Sequence, residues 1–310
     1  MKIGVHLPLM EFRGEGQSFT RVMETVDAAR DCGLDAVSAN DHLVFSTPWL
    51  DGLTALAAAI ERSGQMTLAT TVSLSAVRGP VALAKALAAL DILSEGRMIA
   101  GVGPGSSSRD YDAVGIEFDE RWSRFEESVL ILRSLLRGES VPPAQHFALP
   151  DSELAPRPHR EDGIPIWIGS WGSDAGLRRV ARLADGWLAS AYNTSPEQFG
   201  AAKTLLAEKL GERGRNAAGF PNGLATMWTW VSEDGAETVR MLDEVLAPLL
   251  RREAGELRDR LCVGSAEHCS RLLSDYARAG CEWVQIWPLG DERRQIELFA
   301  ERVVPQIWRH

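Results

Sequence analysis

The chain has 310 residues, 45% of them hydrophobic and 25% charged, with a formal net charge of -10. This is an ordinary globular composition, so disorder, collagen and coiled coil are excluded as the main architecture, and a core of this size needs no covalent staples. A broad nucleic-acid footprint would need the opposite charge, clustered. No apolar run reaches the ~18–20 residues that span a bilayer. The N-terminal MKIGVHLPLMEFRGEG reads as a strand, not as a secretory leader. A soluble cytoplasmic protein is the expectation. Cys32, Cys262, Cys269 and Cys281 show no C-x-x-C spacing and read as free thiols in a reducing compartment. No H-E-x-x-H motif occurs, so no metal site is expected.

Strands and helices alternate along the chain. Lys2–Leu7 reads as a strand, followed by an amphipathic helix over Ser18–Cys32 that Gly33 closes, because glycine accepts the left-handed conformation after a helix end. Ala36–Asn40 is the second strand, and Asp51 is placed to cap a helix over Leu53–Ser63. Thr67–Leu74, rich in β-branched residues, is the third strand. Gly79-Pro80 opens the next helix, with Pro where its missing N–H costs little, and Gly96 ends it. Met98–Val102 is the fourth strand, with a helix near Glu120–Leu136 after it. Gly138–Gly163 has five prolines and little periodicity, and reads as an extended excursion.

Ile166–Ile168 and Gly186–Ala189 are the fifth and sixth strands, with a helix over Ser173–Leu183 between them. Ser195-Pro196-Glu197-Gln198 combines an N-cap, Pro at the first helical position and a capping-box Gln. Ala225–Val231 is the seventh strand; helix is predicted over Ala236–Leu261 and Ala266–Ala279. Trp283–Trp287 is the eighth strand and Ile296–Val303 the last helix. Eight strands, each followed by helix, predict one α/β domain over residues 1–310, a (β/α)8 TIM barrel. A doubly wound sheet with a small second domain would need a composition break or hinge, and neither is present.

In such a barrel the chemistry sits on the loops after the strands. Here these loops carry Asn40-Asp41-His42, then Ser73, Ser75 and Arg78, then Gly103-Pro104-Gly105-Ser106-Ser107-Ser108 and Gly169-Ser170-Trp171-Gly172-Ser173. His42 is the side chain suited to exchange a proton near neutral pH; the alternative is a histidine tied to Asp41 that only holds the loop. The glycines at 101–105 match a dinucleotide fingerprint only in part, since Ser106 takes the third glycine position and Pro104 falls in the turn. They let a flat ligand approach the backbone, or simply make a tight turn. The 169–173 loop runs from strand into helix, where N–H groups can hold an anion; the alternative is plain capping by Ser173. Trp228 and Trp230 share one face of the seventh strand. Trp49, Trp230 and Trp287 lie near the mouth and, with Phe45, are candidates to wall an apolar pocket.

Several motifs along the whole chain carry a family resemblance. They are Asn40-Asp41-His42, Arg78-Gly79-Pro80, Leu90-Asp91-Ile92-Leu93-Ser94-Glu95-Gly96-Arg97, Gly101-Val102-Gly103-Pro104-Gly105, Pro165-Ile166-Trp167-Ile168-Gly169, Ala184-Asp185-Gly186-Trp187 and the ending Glu297–Pro305. With these the chain resembles the bacterial luciferase-like superfamily of flavin- and deazaflavin-dependent oxidoreductases. The resemblance implies a reduced flavin (FMN) or the deazaflavin coenzyme F420 at the mouth. Its ring would rest near Thr71-Val72, where the family often has a non-proline cis peptide. Gly105, Ser106, Ser107 and Tyr111 would flank the ring or ribityl chain, and Gly169, Ser170, Gly172 and Ser173 would hold the phosphate. The family commonly has a catalytic His where His42 stands, here beside Asp41.

Two departures bear on the branch. Ser106-Ser107-Ser108 stand where some deazaflavin enzymes have a carboxylate, which argues against a sugar-phosphate dehydrogenase. The long insertions of many flavin monooxygenases are missing, which favours F420. The expectation is thus an F420-dependent oxidoreductase transferring hydride to a partly apolar small molecule. The alternatives are an FMN-dependent monooxygenase using reduced flavin and O2, and a non-catalytic flavin-binding barrel, the latter favoured if His42 is buried away from the cofactor. Arg157, Arg160, Arg178 and Arg179 are candidates for a basic exit for the acidic tail of F420. The expected partner is a small-molecule substrate, with no nucleic acid and no membrane; a homodimer is left open.

Overall fold

The computed structural model describes residues 1–12, 14, 16–149 and 153–307. Its eight staves are β1 (Lys2–His6), β2 (Ala36–Ala39), β3 (Thr67–Thr70), β4 (Met98–Gly103), β5 (Ile166–Gly169), β6 (Gly186–Ser190), β7 (Asn222–Val231) and β8 (Trp283–Pro288). All neighbours are parallel and follow chain order. β8 pairs with both β7 and β1, Val5 lying opposite Ile286, and this closes the barrel. Parallel strands need crossovers, and the helices between them form the outer layer.

The local signals act as their chemistry dictates. Ser18, Asp51, Ser173, Ser195 and Ser265 each accept a backbone N–H at a helix start, and Ser195 with Gln198 completes the capping box of helix Pro196–Gly211. Helix Pro80–Leu93 begins on Pro80 and packs Leu83, Ala84, Leu87 and Ala88 inward. Barrel space is set by exchange of bulk between neighbouring staves. A Cβ on Gly4 would lie 2.1 Å from Gln285 Oε1, so glycine on β1 makes room for the buried Gln285 of β8.

Four differences from the sequence reading have local causes. The third strand is broken: after β3 the chain passes a cis Thr71–Val72 bond, as the resemblance implies, and resumes as Ser73–Leu74 against β4. The helix predicted over 236–261 is segmented into Gly235–Arg240, a wide turn Met241–Leu246, Ala247–Leu250 and Ala254–Arg258. Arg251, at φ 53, ends the third of these in the left-handed region. Cys262–Gly264 forms a strand against the end of β7, too short to show a period in sequence. The last helix starts early, at Glu292, and continues through Phe299–Val303.

The proline-rich excursion has no helix or strand among its described residues, and its residues 150–152 lie outside those described. It is nonetheless anchored. The backbone N–H groups of Gln145, His146 and Phe147 donate to the Glu127 carboxylate at 2.9, 2.7 and 3.2 Å. Arg160 pairs at 2.9 Å with the fully buried Asp91. Among the described residues no helix is long and apolar enough to cross a membrane.

Candidate active site

The mouth is organised from a buried histidine that the sequence reading did not select. His6, at the end of β1, stacks on Trp287 with ring centroids 3.5 Å apart. Its Nδ1 lies 2.7 Å from the Leu7 carbonyl, and its Nε2 accepts the Asn40 N–H at 2.9 Å. A carbonyl only accepts and an amide N–H only donates, so Nδ1 carries the proton. Burial pushes the His6 pKa down to about 3, so the ring is a neutral strut that fixes where the loop after β2 begins.

Asp41 is a second strut. Its carboxylate accepts Arg78 Nε at 2.6 Å, Arg78 Nη2 at 2.7 Å and the Leu74 N–H at 3.2 Å. Arg78 also pairs with Asp51, the cap of helix Gly52–Ala59. Burial would lower the Arg78 pKa, but Asp41 and then Asp51 outweigh it and raise it. Asp41 is 3% exposed and does not line the mouth cavity. Asp41 therefore holds Arg78 and the Leu74 backbone rather than His42.

The partner of His42 is Asp110, in the short helix Ser108–Asp112 after β4. His42 Nδ1 lies 2.7 Å from Asp110 Oδ2, and Asp110 Oδ1 accepts the Leu43 and Val44 N–H groups at 2.7 and 3.0 Å. Asp110 is 1% exposed. Burial would raise its pKa, but the His42 hydrogen bond and the two backbone donors outweigh this and hold it below the usual carboxylate range. An ionised Asp110 only accepts, so the proton of neutral His42 sits on Nδ1, and Nε2 has no hydrogen-bond partner among the described residues. The carboxylate that seemed absent after the fourth-strand glycines thus arrives two residues beyond Ser108, facing the histidine rather than a ligand.

His42 lines a cavity of about 430 Å³. The same cavity is lined by Phe45, Trp49 and Trp287 of the predicted pocket, and by Ser106 and Ser107. The aromatic wall is continuous: His42–Trp49 centroids are 4.7 Å apart, Trp49–Trp287 5.8 Å edge-on and Trp287–Trp228 3.9 Å stacked. Sequence reasoning missed Asn40, Arg109, Thr226, Trp228 and Arg251 as lining residues. Thr226 carries no sequence signal for its φ of 58; it sits in β7 where the register against β8 shifts, and its hydroxyl meets Ser190 Oγ at 3.1 Å. Bulges re-aim side chains next to sites in this way.

Other selected residues lie elsewhere. β7 runs on to pair Trp230 with Val263, and Trp230 is buried there, outside the cavity lining. Tyr111 is fully buried with its hydroxyl on the Pro104 carbonyl and its ring on Phe118. Gly105, at φ 75, lies over Leu74 and does not line the cavity.

Gly169, Ser170, Gly172 and Ser173 lie at the same barrel end as His42, after β5, but outside this cavity's lining. Ser173 Oγ accepts the Gly176 N–H at 3.2 Å, and Ser170 Oγ accepts the Gly172 N–H at 3.4 Å. Of the arginines chosen for a basic exit, Arg160 also bonds the Met98 carbonyl at the start of β4, the opposite end of the barrel. Arg157 packs beside Gly138 and pairs with Glu153 at 2.9 Å. Arg178 and Arg179 are paired with Asp174 and Glu126.

The residues present suit a flat ring with a phosphate arm. Val72, just past the cis bond, packs over Gly103 and Gly169, where a Cβ would come within 2.8 and 3.2 Å of its methyls. A shelf of side chain over bare backbone therefore lies between β3, β4 and β5. Among the described residues, Thr71 Oγ1 beside it is buried without a hydrogen-bond partner, as is Oδ1 of Asn40, a residue of the cavity wall. Buried polar atoms are rarely left so unless something else satisfies them.

Residues 1–282 match the family of luciferase-like monooxygenases, and the chain belongs to that family. Among relatives, the F420-dependent glucose-6-phosphate dehydrogenase of Nakamurella multipartita is 33% identical over 207 residues, 60% of this chain and 57% of that protein. The enzyme of the same name from Amycolatopsis mediterranei is 29% identical over 178 residues, 54% of this chain and 52% of that protein. The chain thus spans about half the length of the curated relatives it matches. An F420-dependent secondary alcohol dehydrogenase, solved with an F420–acetone adduct, superposes with a TM-score of 0.85 at 18% identity, covering 99% of this chain and 98% of that one. A type II Baeyer–Villiger monooxygenase of Pseudomonas putida, solved with FMN, gives 0.78 at 17% identity with the same two coverages. At these identities the likeness establishes the fold.

Proposed function

We propose that the protein is an oxidoreductase that uses reduced coenzyme F420 to deliver hydride to a partly apolar small molecule. The observation that carries this reading is His42 on the cavity wall, with Nδ1 held by the buried Asp110 and Nε2 unengaged. The sequence relatives described above are F420-dependent enzymes, which favours F420 over FMN. Val72, Gly103 and Gly169 would seat the ring, and Gly169, Ser170, Gly172 and Ser173 at the start of helix Asp174–Leu183 would hold the phosphate. When bound, the reduced cofactor supplies the hydride; the protein supplies position and a proton. His42 Nε2 holds or releases that proton at the substrate atom, and Asp110 offsets the charge the imidazole gains. Phe45, Trp49 and Trp287 exclude water beside it.

The test is anaerobic titration of the apoprotein with reduced F420 and with reduced FMN, followed by turnover with each. Binding of F420 in preference, with consumption that needs no oxygen, supports the reading. Tight FMN binding with no detectable F420 binding moves the protein to the monooxygenase branch.

A further inference from the structure

The cavity beside His42 has a charge pattern opposite to that of the chain. The net charge is -10, yet among the described residues no Asp or Glu lines this cavity, while two arginines do, Arg109 from the short helix Ser108–Asp112 after β4 and Arg251 from the left-handed turn after Leu250. Both are exposed, and neither side chain has an ion pair or hydrogen bond among the described residues. Their neighbours are engaged: Arg252 donates to Asn193 Oδ1 at 2.9 Å and Arg260 to the Tyr192 carbonyl at 3.1 Å. Arg109 and Arg251 are thus not needed to hold the segments that carry them.

The floor has a different chemistry. Phe45, Trp49, Trp287 and Trp228 form one run of edge-on and stacked rings beside the His42 imidazole. Such a wall accepts either a flat π system or a cation. Two guanidinium groups at the rim repel a cation, and no carboxylate among the described residues lines the cavity itself. What suits both parts is a planar aromatic body with an anionic group at one edge, since guanidinium binds carboxylate through paired N–H donors.

We propose that the substrate class is an aromatic carboxylate, its ring against Trp49, Trp228 and Trp287 and its acid group held by Arg109 and Arg251. This rests on the functional reading above only in calling the ligand a substrate; the binding itself needs no cofactor.

The experiment is calorimetric titration of the full chain with 2-naphthoate and its uncharged isostere 2-naphthamide, with and without F420, in the wild type, Arg109→Gln and Arg251→Gln. Both substitutions are on exposed side chains, and unchanged melting temperatures verify the fold. Naphthoate should bind about tenfold tighter than the amide, as one charge-assisted contact predicts. Each substitution should remove most of that advantage, leave the amide unaffected and leave F420 affinity unchanged. Equal binding of acid and amide, or no binding of either, overturns the proposal. So does loss of F420 affinity with naphthoate unaltered, which would assign the arginines to the cofactor's acidic tail. Arginine-dependent naphthoate binding without F420 binding sustains this proposal while removing the cofactor assignment.

Discussion

Asp110→Asn isolates the hydrogen bond that sets the state of His42. In the wild type one carboxylate oxygen serves two backbone donors, Leu43 and Val44, and the other serves His42 Nδ1 at 2.7 Å. An Asn carboxamide has one oxygen, and the two backbone N–H groups can only donate, so that oxygen stays with them. The amide NH2 then faces His42, whose Nδ1 must accept, and the proton moves to Nε2. A nitrogen unengaged and basic in the wild type becomes a donor, and the negative charge that offsets a protonated imidazole is gone. Loss of general acid–base help of this kind costs about 10²–10⁴-fold in rate, and a wrong-tautomer substitution in a hydrolase triad falls at the upper end of that range. Losing one buried charge-assisted bond should also lower stability by about 1.5–3 kcal/mol. The assay is anaerobic kcat/KM beside cofactor affinity, with His42→Ala and the double variant as references. Turnover should fall with affinity unchanged, and the double variant should be no slower than His42→Ala, because the two residues act as a unit. An Asp110→Asn enzyme within twofold of wild type, with the same pH profile, refutes the reasoning.

His42→Ala itself should lower turnover by about 10²–10⁴-fold with little change in cofactor Kd; unchanged turnover returns His42 to a loop-holding role. Arg78→Met leaves the buried Asp41 without its partner and should cost about 3–5 kcal/mol in urea unfolding, whereas a loss under 1 kcal/mol would mean that Asp41 finds other donors. Asp110 and Asp51 both have folded pKa values below the ordinary carboxylate value. The stability they contribute is therefore complete above about pH 4 and is lost as pH falls through their folded values. The gap in unfolding free energy between wild type and Asp110→Asn should shrink from pH 7 to pH 3, and a constant gap would contradict the assignment. Ser195→Ala removes the side-chain acceptor of the Gln198 N–H, leaving the backbone half of the capping box, and should cost about 1 kcal/mol with no effect on cofactor binding, checked by thermal melts and the same titration.

The barrel was legible from residues acting over short range. Ser195 with Gln198, Pro80, Asp51 and Gly33 each state a local conformation that tertiary packing did not need to overrule. Alternating strand and helix then left closure as the consistent arrangement, and the loops after the strands followed as one face. His42 could be selected there because imidazole is the side chain suited to exchange a proton near neutral pH. Asp41 could not be separated from Asp110 in this way. Adjacent residues on an extended segment point apart, so the neighbour in sequence turned to Arg78, and a carboxylate 68 positions away took the histidine. The same holds for Trp228 against Trp230, two residues of one strand face, one lining the cavity and the other covered by the short strand Cys262–Gly264. Sequence period reports which side of a strand a residue occupies; how far along the strand the barrel ends, and what caps it there, depends on chain that arrives from elsewhere. His6 was passed over for a related reason: a histidine inside a strand reads as core, and only packing shows that both its nitrogens and its ring face are used to hold Asn40 and Trp287 in place.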